Sequence, residues 1–172
     1  MSIILQKENK VLREPAREVH NIKSAKVQLL IREMADAMFK EPDGVGIAAP
    51  QIGESLKLFL VAKDALALHA ADGAHKTQKE RKKEYLVFIN PVLKNSSRKK
   101  INDIEGCLSA RWIYGEVARH EKVTVEYFDE HGECHHRGAS GLMARIIQHE
   151  IDHLNGVLFI DRAKNLKTIS NL

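Results

Sequence analysis

Long apolar runs are missing from this chain of 172 residues. None reaches the ~18 consecutive apolar residues of a membrane-spanning helix. The opening "MSIILQKENKVLREP" has only a short apolar patch before its charges. It lacks the core and cleavage site of a secretory signal, so a cytoplasmic protein without a membrane partner is expected. Cysteine is scarce too, with only Cys107 and Cys134. A disulfide framework is excluded as the organising device, and both thiols are expected to be reduced. Internal repeats are absent, which removes solenoids and propellers. No "GK[ST]" is present, so a phosphate-binding P-loop is excluded. Nor is there a strong excess of one charge. The net +4 and pI near 9.0 read as a solvated, mildly basic surface rather than a specific nucleic-acid face.

What is present is enough for one sizeable core. Hydrophobic residues make up 44% of the chain, an ordinary globular proportion. The length suits one domain over residues 1–172. Ser24 has the character of an N-cap, followed by Val27, Leu30, Ile31, Met34 and Met38 at helical spacing. That helix should end at "EPDGVG", where Pro42 and two glycines oppose continuation. "KLFLVA" (57–62), "YLVFINPVL" (85–93) and "KVTVEYF" (122–128) read as strands. A surface insertion is expected over about 63–84, where the composition becomes charged and apolar-poor. Residues 140–154 form the best-supported helix, with Ser140 as its cap. "VLFIDR" reads as a last short strand, and "EGCLS" as a loop. Helices and strands do not alternate strictly, which favours an α+β fold.

"QHEIDHLNG" (148–156) carries the chemistry. Wound at about 100° per residue, Leu142, Ile146, His149 and His153 share one stripe, with Glu150 beside it on the apolar arc. Burying two imidazoles and a carboxylate without partners would be costly. A metal ion with a bound water accounts for all three: the imidazoles ligate, and Glu150 is placed to take a proton from the water. Such a site needs a third protein ligand. Cys107 in "EGCLS" is the natural donor, and a thiolate suits Fe(II), Zn or Co. The rival "ECHHRG" contains Cys134, His135 and His136. Adjacent strand residues point to opposite faces, so that run reads as exposed surface, as do His69, His75 and His131.

"GVGIAAPQ" (44–51) lacks the third glycine of a dinucleotide loop. Two readings stay open: a tight turn packing small residues, or an active-site wall in which the Gln51 amide donates to a developing oxyanion.

Together "GVGIAAPQ", "EGCLS" and "HEIDH" resemble, in order and content, the three motifs of the peptide deformylase family. The resemblance extends to "INP" (89–91), to Arg119 and to "GLMARIIQHEIDHLNGVLFIDR". It implies a hydrolase that removes the formyl group from the N-terminal formyl-methionine of nascent polypeptides. It implies a central helix bearing HEIDH, surrounded by antiparallel sheets. It implies Cys107, His149 and His153 as ligands of one divalent metal, Fe(II) in the cell and replaceable by zinc, nickel or cobalt. Glu150 would then be general base and later acid. Gln51 and the Leu108 N–H would hold the oxyanion. Val45 and Gly46 would pair with the peptide as a strand, and Val45 and Ile146 would line a methionine pocket. "SARWIYGEVAR" departs from common bacterial patterns, and two consequences stay open for Arg111 and Trp112: a reshaped pocket rim or an altered approach of the peptide. The tail after Arg162 is short, so ribosome docking through a long C-terminal helix is not expected. Transient ribosome contact by another route stays open. An HExxH metalloprotease is the rival enzyme, but "HLNGVLFID" lacks its usual downstream ligand. A non-catalytic metal-binding module would need neither Glu150 nor Gln51.

Overall fold

The structure is a computed structural model that describes residues 3–65 and 82–169. Most of the expected insertion, with His69 and His75, lies outside them. Helix α1 (Ala25–Lys40) begins where expected. The Ser24 hydroxyl accepts from the Val27 N–H at 3.3 Å, satisfying one of the donors a helix start leaves unpaired. Val27, Leu30, Ile31, Met34 and Met38 are all buried. The helix closes as Glu41 N–H donates to Met38 O and Gly44 N–H to Glu41 O. A Cβ on Gly44 would lie 2.1 Å from the Met38 carbonyl oxygen, so this reversal admits only glycine.

The chain then builds a five-stranded antiparallel sheet from β1 (Gly46–Ala48), β2 (Leu58–Ala62), β3 (Tyr85–Ser96), β6 (Lys122–Phe128) and β7 (Cys134–Ser140). Their spatial order is β1-β2-β3-β6-β7. Strand β2 is buried throughout, which is why it reads as an unbroken apolar run. Phe59 pairs with Phe88 across β2 and β3. Their rings stack at 4.6 Å, and Phe88 meets Tyr127 at 4.2 Å, so aromatic packing runs across three strands. The pairing of β3 with β6 shifts register between Ile89 and Val92. Pro91 lacks the N–H a regular ladder needs. Asn90, at φ 49°, turns its amide onto Val19 and makes two 2.9 Å bonds to that residue's N–H and carbonyl. "INP" therefore ties the N-terminal segment to the sheet.

A second, three-stranded sheet contains β4 (Lys100–Cys107), β5 (Ala110–His120) and β8 (Lys164–Thr168) in the order β4-β5-β8. Two expectations are corrected here. "EGCLS" is not a free loop: Cys107 ends β4, which pairs with β5 along its length. "VLFIDR" is not a strand: Phe159–Asp161 is a 3-10 turn, in which Asp161 accepts from Leu158 N–H at 2.9 Å. Phe159 is driven inward and packs with Ala110 and Val117 in a small second core. Helix α2 (Gly141–Leu154) carries the HEIDH stretch and packs on β1, β2, β5, β6 and β7. Antiparallel sheets thus surround a central helix, the α+β arrangement expected. No helix among the described residues is long and apolar enough to cross a membrane.

Candidate active site

His149, Glu150 and His153 project from α2, and Cys107 reaches them from the end of β4. One donor atom each from Cys107, His149 and His153 lies within 4.8 Å of the others. Cys107 Sγ stands 3.2 Å from His153 Nε2. Cys107, not the exposed Cys134, is the thiol that lies beside His149 and His153.

The ring of His149 is held from behind. Its Nδ1 lies 3.0 Å from Glu105 Oε2, leaving Nε2 for the cluster. Glu105 accepts two bonds from Arg119, at 2.8 and 2.9 Å. Arg119 also donates to Asp152 at 2.5 Å, and Arg162 donates to Asp152 at 3.0 Å. A chain of alternating charges thus runs from the far face of α2 to the back of His149. Burial alone would raise the Glu105 carboxyl, but Arg119 and His149 override it and hold it down at about 2. It is therefore an anion, suited to orient an imidazole ligand and increase its basicity.

Glu150 is the opposite case. Burial pushes its carboxyl up to about 7, the Glu105 charge adding to the effect while His149 and Arg119 oppose it. A carboxyl balanced near neutrality can take and return a proton. Its Oε2 is buried with no hydrogen-bond partner. An orphaned buried carboxylate oxygen is costly, and it fits a site where a metal-bound water would be its partner. Burial likewise lowers the pKa of His153 well below its usual value, with the charges of His149 and Arg119 adding to this, so its ring is neutral and can ligate.

Gln51 is buried in a 3-10 turn (Ala49–Ile52) that follows β1, a tight turn of small residues that also borders a cavity. Its Oε1 accepts from Ala48 N–H at 2.8 Å. That fixes the amide so that Nε2 faces the site, donating to Ser109 Oγ at 3.0 Å and lying 3.7 Å from Cys107 Sγ. Val45, Gly46, Gln51, Leu108, Ile146, His149 and Glu150 all line one cavity of about 300 Å³. Gly46 is packed against Glu150: a Cβ there would meet Glu150 Oε1 at 2.5 Å. Strands β1 and β4 are each at the edge of a sheet, and both border this cavity. Arg111 pairs with Glu41 at 2.5 Å. Trp112, at φ 64°, is half-exposed beside it, on a neighbouring depression that shares Gly106, Cys107 and Leu108. Both residues line that neighbouring depression rather than the cavity itself.

Glu105, Ser109 and Asp152 are site residues that sequence reasoning did not single out. Asp152 and Gln148 fall on the arc opposite the histidines, yet both are buried. The Gln148 amide bonds His120 N–H at 3.0 Å and His120 carbonyl at 2.9 Å, anchoring that arc to β5.

Fold and site together have the features of a metal-dependent hydrolase built on an HExxH helix, with Cys107 brought beside its two histidines. Residues 1–168 match the polypeptide deformylase family. Peptide deformylase 2 of Nostoc sp. is 40% identical over 97% of this chain and 89% of its own length. A Synechococcus elongatus peptide deformylase, solved in complex with actinonin, superimposes with a TM-score of 0.80 at 38% identity, covering 95% of this chain and 79% of that one. A Thermotoga maritima peptide deformylase gives a TM-score of 0.79 at 32% identity, covering 95% and 98%. The chain belongs to the polypeptide deformylase family, metal-dependent hydrolases that remove the N-formyl group from nascent polypeptides.

Proposed function

We propose that Cys107, His149 and His153 hold the catalytic metal, Fe(II) in the cell, and that Glu150 is the proton carrier of formyl-methionyl peptide hydrolysis. The observation that carries this reading is the convergence of three donor atoms within 4.8 Å beside a buried carboxyl raised to about 7. A metal bound there lowers the pKa of its water and polarises the formyl oxygen. The peptide enters as an extended strand against the free edge of β1, with Val45 and Gly46 as its backbone partners. Its methionine side chain occupies the apolar part of the cavity beside Val45, Leu142 and Ile146. Glu150 Oε2 takes the proton of the attacking water. Gln51 Nε2 and the Leu108 N–H stabilise the charge that develops on the formyl oxygen. Glu150 then returns the proton to the departing amine, giving formate and a free methionyl N-terminus.

Metal-loaded protein is expected to release formate from formyl-Met-Ala-Ser. The Glu150→Ala variant should lose that activity while keeping its metal. Full turnover by this variant would remove Glu150 from the mechanism, and no formate from the loaded wild-type protein would remove the reaction.

A further inference from the structure

The Cys134-His135-His136 run cannot make a site as three adjacent residues, because neighbours on a strand face opposite ways. The pairing of β6 with β7 supplies a different set. Cys134 and His136 are two apart on β7 and share a face, and Glu126 stands opposite His136 in the register. His136 Nε2 lies 2.9 Å from Glu126 Oε2. Donor atoms of Glu126, Cys134 and His136 are all within 4.8 Å of one another. We propose that this Cys-His-carboxylate cluster on the outer face of the five-stranded sheet is a second metal site, taking a borderline divalent ion such as Zn²⁺ or Co²⁺.

The donor set fits that class of ion. Thiolate, imidazole and carboxylate are all zinc ligands, at about 2.3 Å for sulfur and about 2.0–2.2 Å for nitrogen and oxygen. Tetrahedral geometry then sets the donors roughly 3.3–3.6 Å apart. The donors all lie within 4.8 Å of one another; His136 and Glu126, at 2.9 Å, need only open slightly, and Cys134 and His136 are exposed and can adjust. A thiolate and a carboxylate neutralise the charge of the ion, and water fills the fourth position. Lys94 Nζ lies 2.8 Å from the other Glu126 oxygen, so it orients the carboxylate while Oε2 faces the cluster. The Lys94 ammonium also holds the Glu126 carboxyl below its usual range. On binding, Cys134 gives up its thiol proton to solvent.

A neighbouring group, Asp129, Glu133 and His135, has comparable spacing but another explanation. Asp129 Oδ1 accepts from the His131 and Glu133 N–H groups at 2.9 Å each, and Oδ2 lies 2.8 Å from His135 Nε2. Those oxygens hold the hairpin turn. The Glu126 carboxylate instead has the side chains of Lys94 and His136 as partners among the described residues.

The test is metal stoichiometry on the full chain under reducing, anaerobic conditions, using Co²⁺ as probe. Wild-type protein should bind two Co²⁺ per chain, each with a thiolate-to-cobalt absorption band. Cys134→Ser should bind one and lose about half of that absorption. His136→Ala should weaken the second site at least tenfold, and His135→Ala should leave it intact. Formate release should be unchanged in all three variants, which separates this site from the catalytic one. One Co²⁺ per wild-type chain overturns the proposal. So does a second ion that survives Cys134→Ser, or one lost with His135→Ala while Cys134→Ser retains it.

Discussion

Gly46→Ala is the most informative single change, because the structure separates its effect on chemistry from its effect on folding. The new Cβ would stand 2.5 Å from Glu150 Oε1, 3.0 Å from Ile146 Cγ2 and 3.1 Å from Glu150 Cδ. Ordinary contact begins near 3.4 Å, so the carboxylate oxygen must retreat by roughly 0.9 Å and Ile146 by roughly 0.4 Å. Glu150 is the end of a rotatable side chain, so it yields more readily than the backbone of β1. Stability should therefore fall only toward the low end of the ~1–3 kcal/mol typical of overpacking. Catalysis is less forgiving. A misplacement near 1 Å can cost about 100-fold in rate, or about 2.7 kcal/mol of barrier. Steady-state formate release, paired with metal analysis and thermal unfolding, reads all three quantities. The expected result is a kcat lower by about 100-fold, with metal content kept and only a small shift in Tm. A kcat within threefold of wild type would refute the placement of Glu150 against β1. Loss of activity in step with loss of metal or of fold would refute the claim that the effect is local.

Three further outcomes follow from the same geometry. Gln51→Leu removes one oxyanion donor and should lower kcat by about 2.7–4 kcal/mol equivalent, or 10²–10³-fold, with KM and bound metal little changed in the same assay. Arg119→Ala leaves Glu105 as a buried anion without its guanidinium and Asp152 with Arg162 alone, and urea unfolding should show a loss of about 3–5 kcal/mol. In metal-stripped protein, Glu150 is raised to about 7 in the folded state against 4.5 unfolded. The folded state then holds the extra proton between those values, so this stability is complete below pH 4.5 and is lost as pH rises through 7. The difference is about 3 kcal/mol, and Glu150→Gln should flatten it in denaturation curves taken from pH 4 to 8.

How far the sequence speaks for the structure depends on the range over which each interaction acts. Helix α2 was legible because its signal is local: residues three and four apart define an apolar arc, and both histidines fall on it. Ser24 was legible as a cap for the same reason, since its partner is Val27. Strands β4, β7 and β8 were not. "KINDIEGC" and "CHHRGAS" place mostly exposed side chains on their faces, so no apolar alternation marks them. Strand β7 takes its order from pairing with β6, which was read from sequence, but β4 and β8 pair, among the described residues, only with β5, itself not read as a strand. The role of Gln51 was open for a related reason. Its oxygen is fixed by Ala48, three residues back, but its donor direction has meaning only once Cys107 and Ser109 arrive from another sheet. Glu105, Arg119 and Asp152 are separated by 14 and 33 residues, and in sequence each looks like ordinary surface charge. Only their motif context hinted otherwise: Glu105 directly before Gly106 and Cys107, Asp152 within HEIDH, and Arg119 as part of the family resemblance.

The buried charge chain explains why α2 is polar on the side that does no chemistry. A helix held only by its apolar arc could rotate or slide by a fraction of an ångström at small cost, because hydrophobic contact is non-directional. On the proposed reading the site would not tolerate such drift, since His149, Glu150 and His153 on α2 must meet groups arriving from β1 and β4. Hydrogen bonds between Asp152 and Arg119, and between Gln148 and His120, set both the rotation and the height of α2 relative to β5. Strand β5 in turn fixes β4 by pairing, and β4 carries Glu105 and Cys107. The far face of the helix is thereby coupled through one strand to the ligand its near face must meet. Replacing the chain with apolar residues of similar volume could preserve or even increase stability. It would also leave His149 without the anion that selects its tautomer, so the network is better understood as a device for geometry than for stability.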